Sequence, residues 1–191
     1  MPIGTPDTSI RHGAGQFLIK DYGGVGDPVA VSVDQSEGGM EFAYNGETKD
    51  VPAANHLGAV ERLLTGENAK LTIGILDHEL DKLVLSFGHD DGDIVDDAVA
   101  VPNTRTLEFG GPRNLPKFTV QMKCPQPTLA TLFDILNLWR VTAKPEYTAA
   151  YEVGKERFIP VEFNALVDVA GTEGTAGTLG SLVQEITPLP V

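Results

Sequence analysis

The sequence predicts a mainly β fold, an antiparallel β-sandwich or barrel with an α-helix packed on its flank. Two observations carry that expectation. Most apolar residues fall in short runs that alternate with polar ones, the period-two pattern of a strand with one face in a core. One stretch, residues 65–88 (TGENAKLTIGILDHELDKLVLSFG), begins with that period and then leaves it. A turn signal at Gly66, Glu67 and Asn68 precedes the alternation of Leu71, Ile73 and Ile75. From Asp77 onward, Leu80, Leu83, Val84 and Phe87 fall at i, i+3, i+4 and i+7, which puts them on one face of a short helix. Asp77 is placed to cap the first amides and Gly88 to end the helix in the left-handed conformation. His78, Glu79, Asp81 and Lys82 take the other face. A helix of about three turns is marginal alone, so it has to lie on a sheet.

The rest of the chain supplies strands. Residues 1–14 hold few apolar side chains and read as an N-terminal arm, leaving residues 15–191 as one domain. Residues 16–20 (QFLIK) form a strand candidate, followed by the glycine loop 21–28 (DYGGVGDP). Val29, Val31 and Val33 alternate, then Met40, Phe42 and Tyr44, and the turn Glu37, Gly38, Gly39 between them suggests a hairpin. Residues 52–64 are ambiguous: Leu57, Val60, Leu63 and Leu64 suit a helix, but Gly58 leaves a strand or loop open. An acidic loop at 89–97 precedes short strand candidates at 99–102 and 105–109. Phe118, Val120, Met122 and Cys124 give the cleanest two-faced strand, and Leu129, Leu132, Phe133 and Leu136 have the spacing of a second helix. Ile159, Val161, Phe163, Ala165, Val167 and Val169 predict the longest strand. A glycine loop at 171–180 and a closing strand at 182–186 end the chain, and no stretch repeats at a fixed period.

Composition narrows the function. Apolar residues are 41% of the 191, enough for a well-buried core. No apolar run approaches the roughly 18 residues of a membrane span, and MPIGTPDTSI lacks a signal-peptide hydrophobic segment, so synthesis in the cytoplasm is expected. Cys124, the single cysteine, excludes an internal disulfide. A net charge of −13 argues against gripping nucleic acid through its phosphates.

The titratable clusters match chemical motifs only in part. His78 and Glu79 start like a metalloprotease helix, but Lys82 stands where the second histidine belongs. Placing Gly92 at the sixth position of a calcium loop puts Phe87 first and Ala98 twelfth, so that motif fails. An irregular cation site from Asp90, Asp91, Asp93, Asp96 and Asp97 competes with a solvated acidic loop. The segments Gly13-Ala14-Gly15 and Gly24-Val25-Gly26 lack the third glycine of a dinucleotide fingerprint, and no serine sits in a G-x-S-x-G elbow. Cys124, on the apolar side of its strand, and Trp139 read as packing residues. No catalytic residue, cofactor site or metal site is assigned, and the expectation is a protein that is not an enzyme.

Several segments in order resemble one family. They are Gly13-Ala14-Gly15-Gln16, the loop Gly23-Gly24-Val25-Gly26 with the valine hairpin after it, and Leu64-Thr65-Gly66-Glu67 leading into the strand and helix above. The last is FIPVEFNALVD at 158–168, followed by a loop and a final strand. Together they resemble the major tail tube proteins of long-tailed phages and related viruses. The resemblance runs from about residue 13 to residue 186. It implies a β-sandwich with a flanking helix whose copies join sheets into rings, usually of six. The rings would stack into a hollow virion tail tube through which DNA passes without being gripped. It also implies tape-measure, tail-terminator and distal tail proteins as partners, and no membrane. Inner tubes of contractile tails, type VI secretion tubes and tail-completion proteins are similar alternatives. A solitary β-sandwich binding carbohydrate or protein through loops such as 21–27 is a further one.

Overall fold

The computed structural model describes residues 15–26, 28–31, 40–52, 59–75, 80–89, 91–99, 102–110, 114–126, 132–148 and 159–186. The strands are β1 (Gln16–Asp21), β2 (Val29–Val31), β3 (Met40–Pro52), β4 (Ala59–Ile75), β5 (Ile94–Asp97), β6 (Thr104–Leu107), β7 (Phe118–Pro125), β8 (Phe133–Ala143), β9 (Ile159–Ala165) and β10 (Gly180–Gln184). One helical turn, α1 (Leu80–Leu83), runs into a 3₁₀ turn, Val84–Phe87. The fold is mainly β, and the helix is minor.

Eight strands form one antiparallel sheet in the order β2-β1-β7-β8-β9-β4-β3, with β10 added on β8; β5 and β6 pair separately. The sheet rolls on itself. Phe17 of β1 and Phe163 of β9 stand three places apart in the order, yet their ring centroids are 5.4 Å apart. A Cβ on Gly15, just before β1, would fall 2.2 Å from Cε of Met40, the first residue of β3, so strands distant in the order converge there. Alternation decides what fills the roll. Leu71, Ile73 and Ile75 of β4, Val161 and Phe163 of β9, Phe118 and Val120 of β7, and Leu138 and Val141 of β8 meet in one core. Each large apolar side chain buried there contributes about 1.5–3 kcal/mol. Thr119 breaks the alternation at a register shift, and its buried hydroxyl donates to the Trp139 carbonyl at 2.8 Å.

The helix is shorter than its spacing predicts. Val84 and Leu85 join the core, and Gly88 ends the 3₁₀ turn at φ 69°. With adjacent residues both buried, a tight turn fits the surface better than a continuous amphipathic face. The expected cap Asp77, with His78 and Glu79, lies outside the described residues, as do the arm 1–14 and the turn 37–39.

Five other expectations are corrected, and one open reading is resolved. The valine strand β2 pairs with β1, whereas β3 pairs with β4, so among the described residues the two do not pair with each other as the expected hairpin. Gly66 to Asn68 do not turn; they continue β4, with a register shift near Thr65 absorbing the irregularity. The ambiguous 59–64 is strand. The predicted second helix over 129–136 is strand from Phe133, because β8 receives partners on both edges. The acidic loop contains a 3₁₀ turn at Asp91–Asp93 and strand β5, which pairs with β6 in place of the expected 99–102. Finally β9 stops at Ala165, with the Leu166 amide adding one further bond to β8, to the Arg140 carbonyl at 2.7 Å, so that β4, not β9, is the longest strand.

Truncating Phe163 to alanine is expected to cost about 3–5 kcal/mol, since it removes a buried ring that nothing can replace. Urea unfolding checks this against Val95→Ala on an exposed strand, expected within about 0.5 kcal/mol of wild type. Equal midpoints for the two would contradict the assigned core.

Candidate assembly surface

Strands β3 and β4 stay paired from Met40 opposite Ile73 out to Pro52 opposite Ala59. Strand β9 covers β4 only from Lys70 to Ile75. Beyond Ala69 the two strands continue as a ribbon, and every residue from Tyr44 to Asp50 is exposed, as are 61–65. Neighbouring Leu63 and Leu64 are 48% and 55% exposed. They point to opposite faces, because successive strand residues alternate. Leu64 Cδ1 lies 3.0 Å from where a Cβ of Gly46 would be, so it shares the face of Gly46 and Tyr44. Leu63 lies opposite Lys49 on the other face. A two-stranded ribbon is marginally stable in water. Its cross-links are modest: Arg62 Nε donates to Asp50 Oδ1 at 2.7 Å and Thr65 Oγ1 to the Glu47 carbonyl at 3.2 Å, both exposed.

At the root of the ribbon the sheet splits. On the edge of β8 away from β7, β10 takes Asp134 to Leu138 and β9 takes Val141 to Ala143. Between β10 and the ribbon lies a groove of about 450 Å³. Ala69, Leu138 and Leu179 belong to the core beneath it. On its rim Phe42, Tyr44 and Leu182 are 39%, 53% and 76% exposed. Glu67 is the acidic residue of the lining; its Oε1 accepts from the Tyr44 hydroxyl at 2.6 Å, and that bond raises the phenol pKa.

A buried carboxylate builds the groove's far wall. Asp168 is fully buried and accepts from the Tyr22 hydroxyl at 2.6 Å and from the amides of Gly171 and Glu173 at 3.1 Å each. Chiefly the tyrosine bond, then backbone bonds, hold its pKa down from 3.8 to about 2 against the opposing effect of burial. Glu173 in turn takes Lys20 Nζ at 2.7 Å and the Gly23 amide at 2.9 Å, and the Arg140 guanidinium sits 5.6 Å over the Tyr22 ring. The loops after β1 and β9 are thereby clamped together. Gly174 packs flat on Trp139, where a Cβ would come within 2.3 Å of the indole. The Asp168 amide bonds the Thr178 carbonyl at 3.0 Å and hands the chain to β10. There Gly180 passes so close to β8 that a Cβ would meet the Asn137 carbonyl at 2.1 Å.

The chemical candidates disperse. Asp93 Oδ2 bonds His89 Nδ1 at 2.7 Å, Asp96 bonds Arg105 at 2.8 Å, and Asp97 accepts from the Val99 amide at 3.0 Å. Asp90 is outside the described residues. Arg105 also forks onto Asp81, at 2.8 and 2.7 Å, tying the β5–β6 pair to α1. Among the described residues no three of His, Cys, Asp and Glu are grouped to hold a metal ion. Cys124 is half-buried, and burial with nearby Asp134 raises its thiol pKa, which disfavours the nucleophilic thiolate. No helix among the described residues is long and apolar enough to cross a membrane.

No family model matches the chain, and neither does any curated protein. A solved structure described as the tail of an empty GTA particle, refined helically with C6 symmetry, is similar over 89% of this chain and 96% of that one. The identity is 15% and the TM-score 0.42, a likeness too distant to carry an argument.

The Asp168 cluster predicts a pH signature. A carboxyl whose folded pKa is depressed stabilises the fold above its unfolded pKa, and that contribution fades as pH falls from about 4 through about 2. In thermal melts, Asp168→Asn is expected to start less stable at neutral pH and to lose less than wild type across that window. Parallel acid profiles would contradict the role of Asp168.

Proposed function

We propose that this chain is a structural virion protein whose copies close into rings, six to a ring, that stack into a hollow tail tube for viral DNA. The carrying observation is the exposed ribbon of β3 and β4 standing out beyond the part of the sheet that packs on the core. A marginal ribbon with apolar residues on both faces belongs against a neighbour. Among the described residues β3 and β10 each have an edge without a partner strand, whose backbone donors and acceptors ring closure covers. The family resemblance in segment order supports the tail-tube form of that self-association. In this reading the protein is structural and not an enzyme, it resides in the virion tail, and it meets tape-measure, terminator and distal tail proteins at the ends of the tube.

Negative-stain microscopy of the purified protein over rising concentration is expected to show rings and then tubes. Stacking is assigned to the arm, residues 1–12, and the ribbon, so deleting residues 2–11 should leave the melting curve unchanged and abolish long tubes. A wild type that stays monomeric contradicts the reading, and full-length tubes from the deletion contradict the role of the arm.

The lumen is expected to be net acidic. Each lysine or arginine on phosphate adds binding that must break before DNA can slide, and the chain carries 13 excess negative charges. Salt limits their reach to about 8 Å at physiological ionic strength. A reconstruction of the assembled tube reads this directly; a wall lined mainly by Lys and Arg would overturn it.

A further inference from the structure

The groove and the ribbon of one molecule fit each other's chemistry, though they cannot meet within it. The groove lies at the ribbon's root, and the Leu63 face looks away from it, since Tyr44 and Leu64 occupy the groove-side face. That outward face carries Leu63 and, directly opposite, Lys49. Lys49 makes no ion pair among the described residues. The groove offers an apolar rim and one carboxylate, Glu67, at its mouth.

Charge makes the match selective. Two copies at −13 each repel, so contact favours patches of low net charge. The ribbon from 45 to 52 and 59 to 66 carries three acids, Glu47, Asp50 and Glu61, against two bases, Lys49 and Arg62. Arg62 is already bonded to Asp50 in its own copy. Lys49 is therefore the base left to meet an acid elsewhere.

We propose that the groove bounded by Phe42, Tyr44 and Leu182 is the seat for the Leu63 face of a second copy's ribbon, with Lys49 of that copy on Glu67. Leu63 covers the exposed rim, and the ammonium neutralises the carboxylate as water leaves. The contact is heterologous: each copy gives a ribbon and receives one, so it propagates head to tail. It rests on the self-association proposed above and names the surface through which copies stack.

A charge swap tests it on the full-length chain, read by sedimentation over a concentration series. Lys49→Glu alone sets two carboxylates together, and Glu67→Lys alone two ammoniums. Each is expected to weaken association about tenfold or more. The double variant restores a pair of opposite sign and should recover association close to wild type. Leu63→Asp should abolish association in either background. Both charge sites are exposed, and unchanged melting curves confirm that the monomers fold. A wild type that associates while the single variants match it, or while the double variant fails to recover, overturns the groove assignment and leaves self-association standing. A wild type that stays monomeric overturns both.

Discussion

Strand β8 has more neighbours than it has edges. One edge is filled along its length by β7, and the other is divided, with β10 on its first half and β9 on its second. Backbone donors and acceptors allow one partner per edge at each position, so β9 and β10 must part where they meet on β8. The parting is what opens the sheet. It leaves the β9-side edge of β4 without a described partner before Lys70, frees the ribbon to continue outward, and lays core residues along the floor of a groove. The side of the molecule that a neighbour can use is a consequence of how β8 shares its hydrogen bonds.

The division is enforced from outside the strand. Asp168 gathers the chain after β9 into a tight loop, and Gly180 lets β10 approach β8 closely enough to pair. A carboxylate buried with several donors is stable only while all of them stay in place, so the loops after β1 and β9 move together or not at all. The groove's far wall is rigid for that reason, while its near wall is a two-stranded ribbon with solvent on both faces. A rigid acceptor beside a marginal projecting element suits an interface that forms between pre-folded molecules and becomes ordered as it forms.

Much of the sheet was legible because single-face burial writes itself as alternation. Leu71, Ile73 and Ile75, the β7 residues Phe118 and Val120, and Ile159 to Phe163 were all readable in that way. The misses share a cause: period describes a residue's own strand and says nothing of its partner. Nothing in VAV or MEFAY states that the first pairs with β1 and the second with β4. Strand β8 read as helix because Phe133 and Ile135 on one face and Leu136 and Leu138 around them blur the alternation of a strand sheltered on both sides. The ribbon read as a turn because Gly66 and Asn68 carry turn chemistry that a register shift absorbs. Asp168 had a local signal, an aspartate at the end of an apolar run before a glycine-rich loop, where a carboxylate collects loop amides. The adjacent exposed Leu63 and Leu64 had no such signal, since their exposure follows from where β9 ends.

The central claim is that the ribbon is completed by another molecule. Amide hydrogen exchange, compared between dilute and concentrated protein, tests it most directly. The account predicts that amides of residues 45–51 and 59–66 exchange rapidly when dilute and become protected on concentration, while those of β7 and β9 stay protected in both. Ribbon amides that exchange equally fast in the concentrated, assembled sample would contradict it.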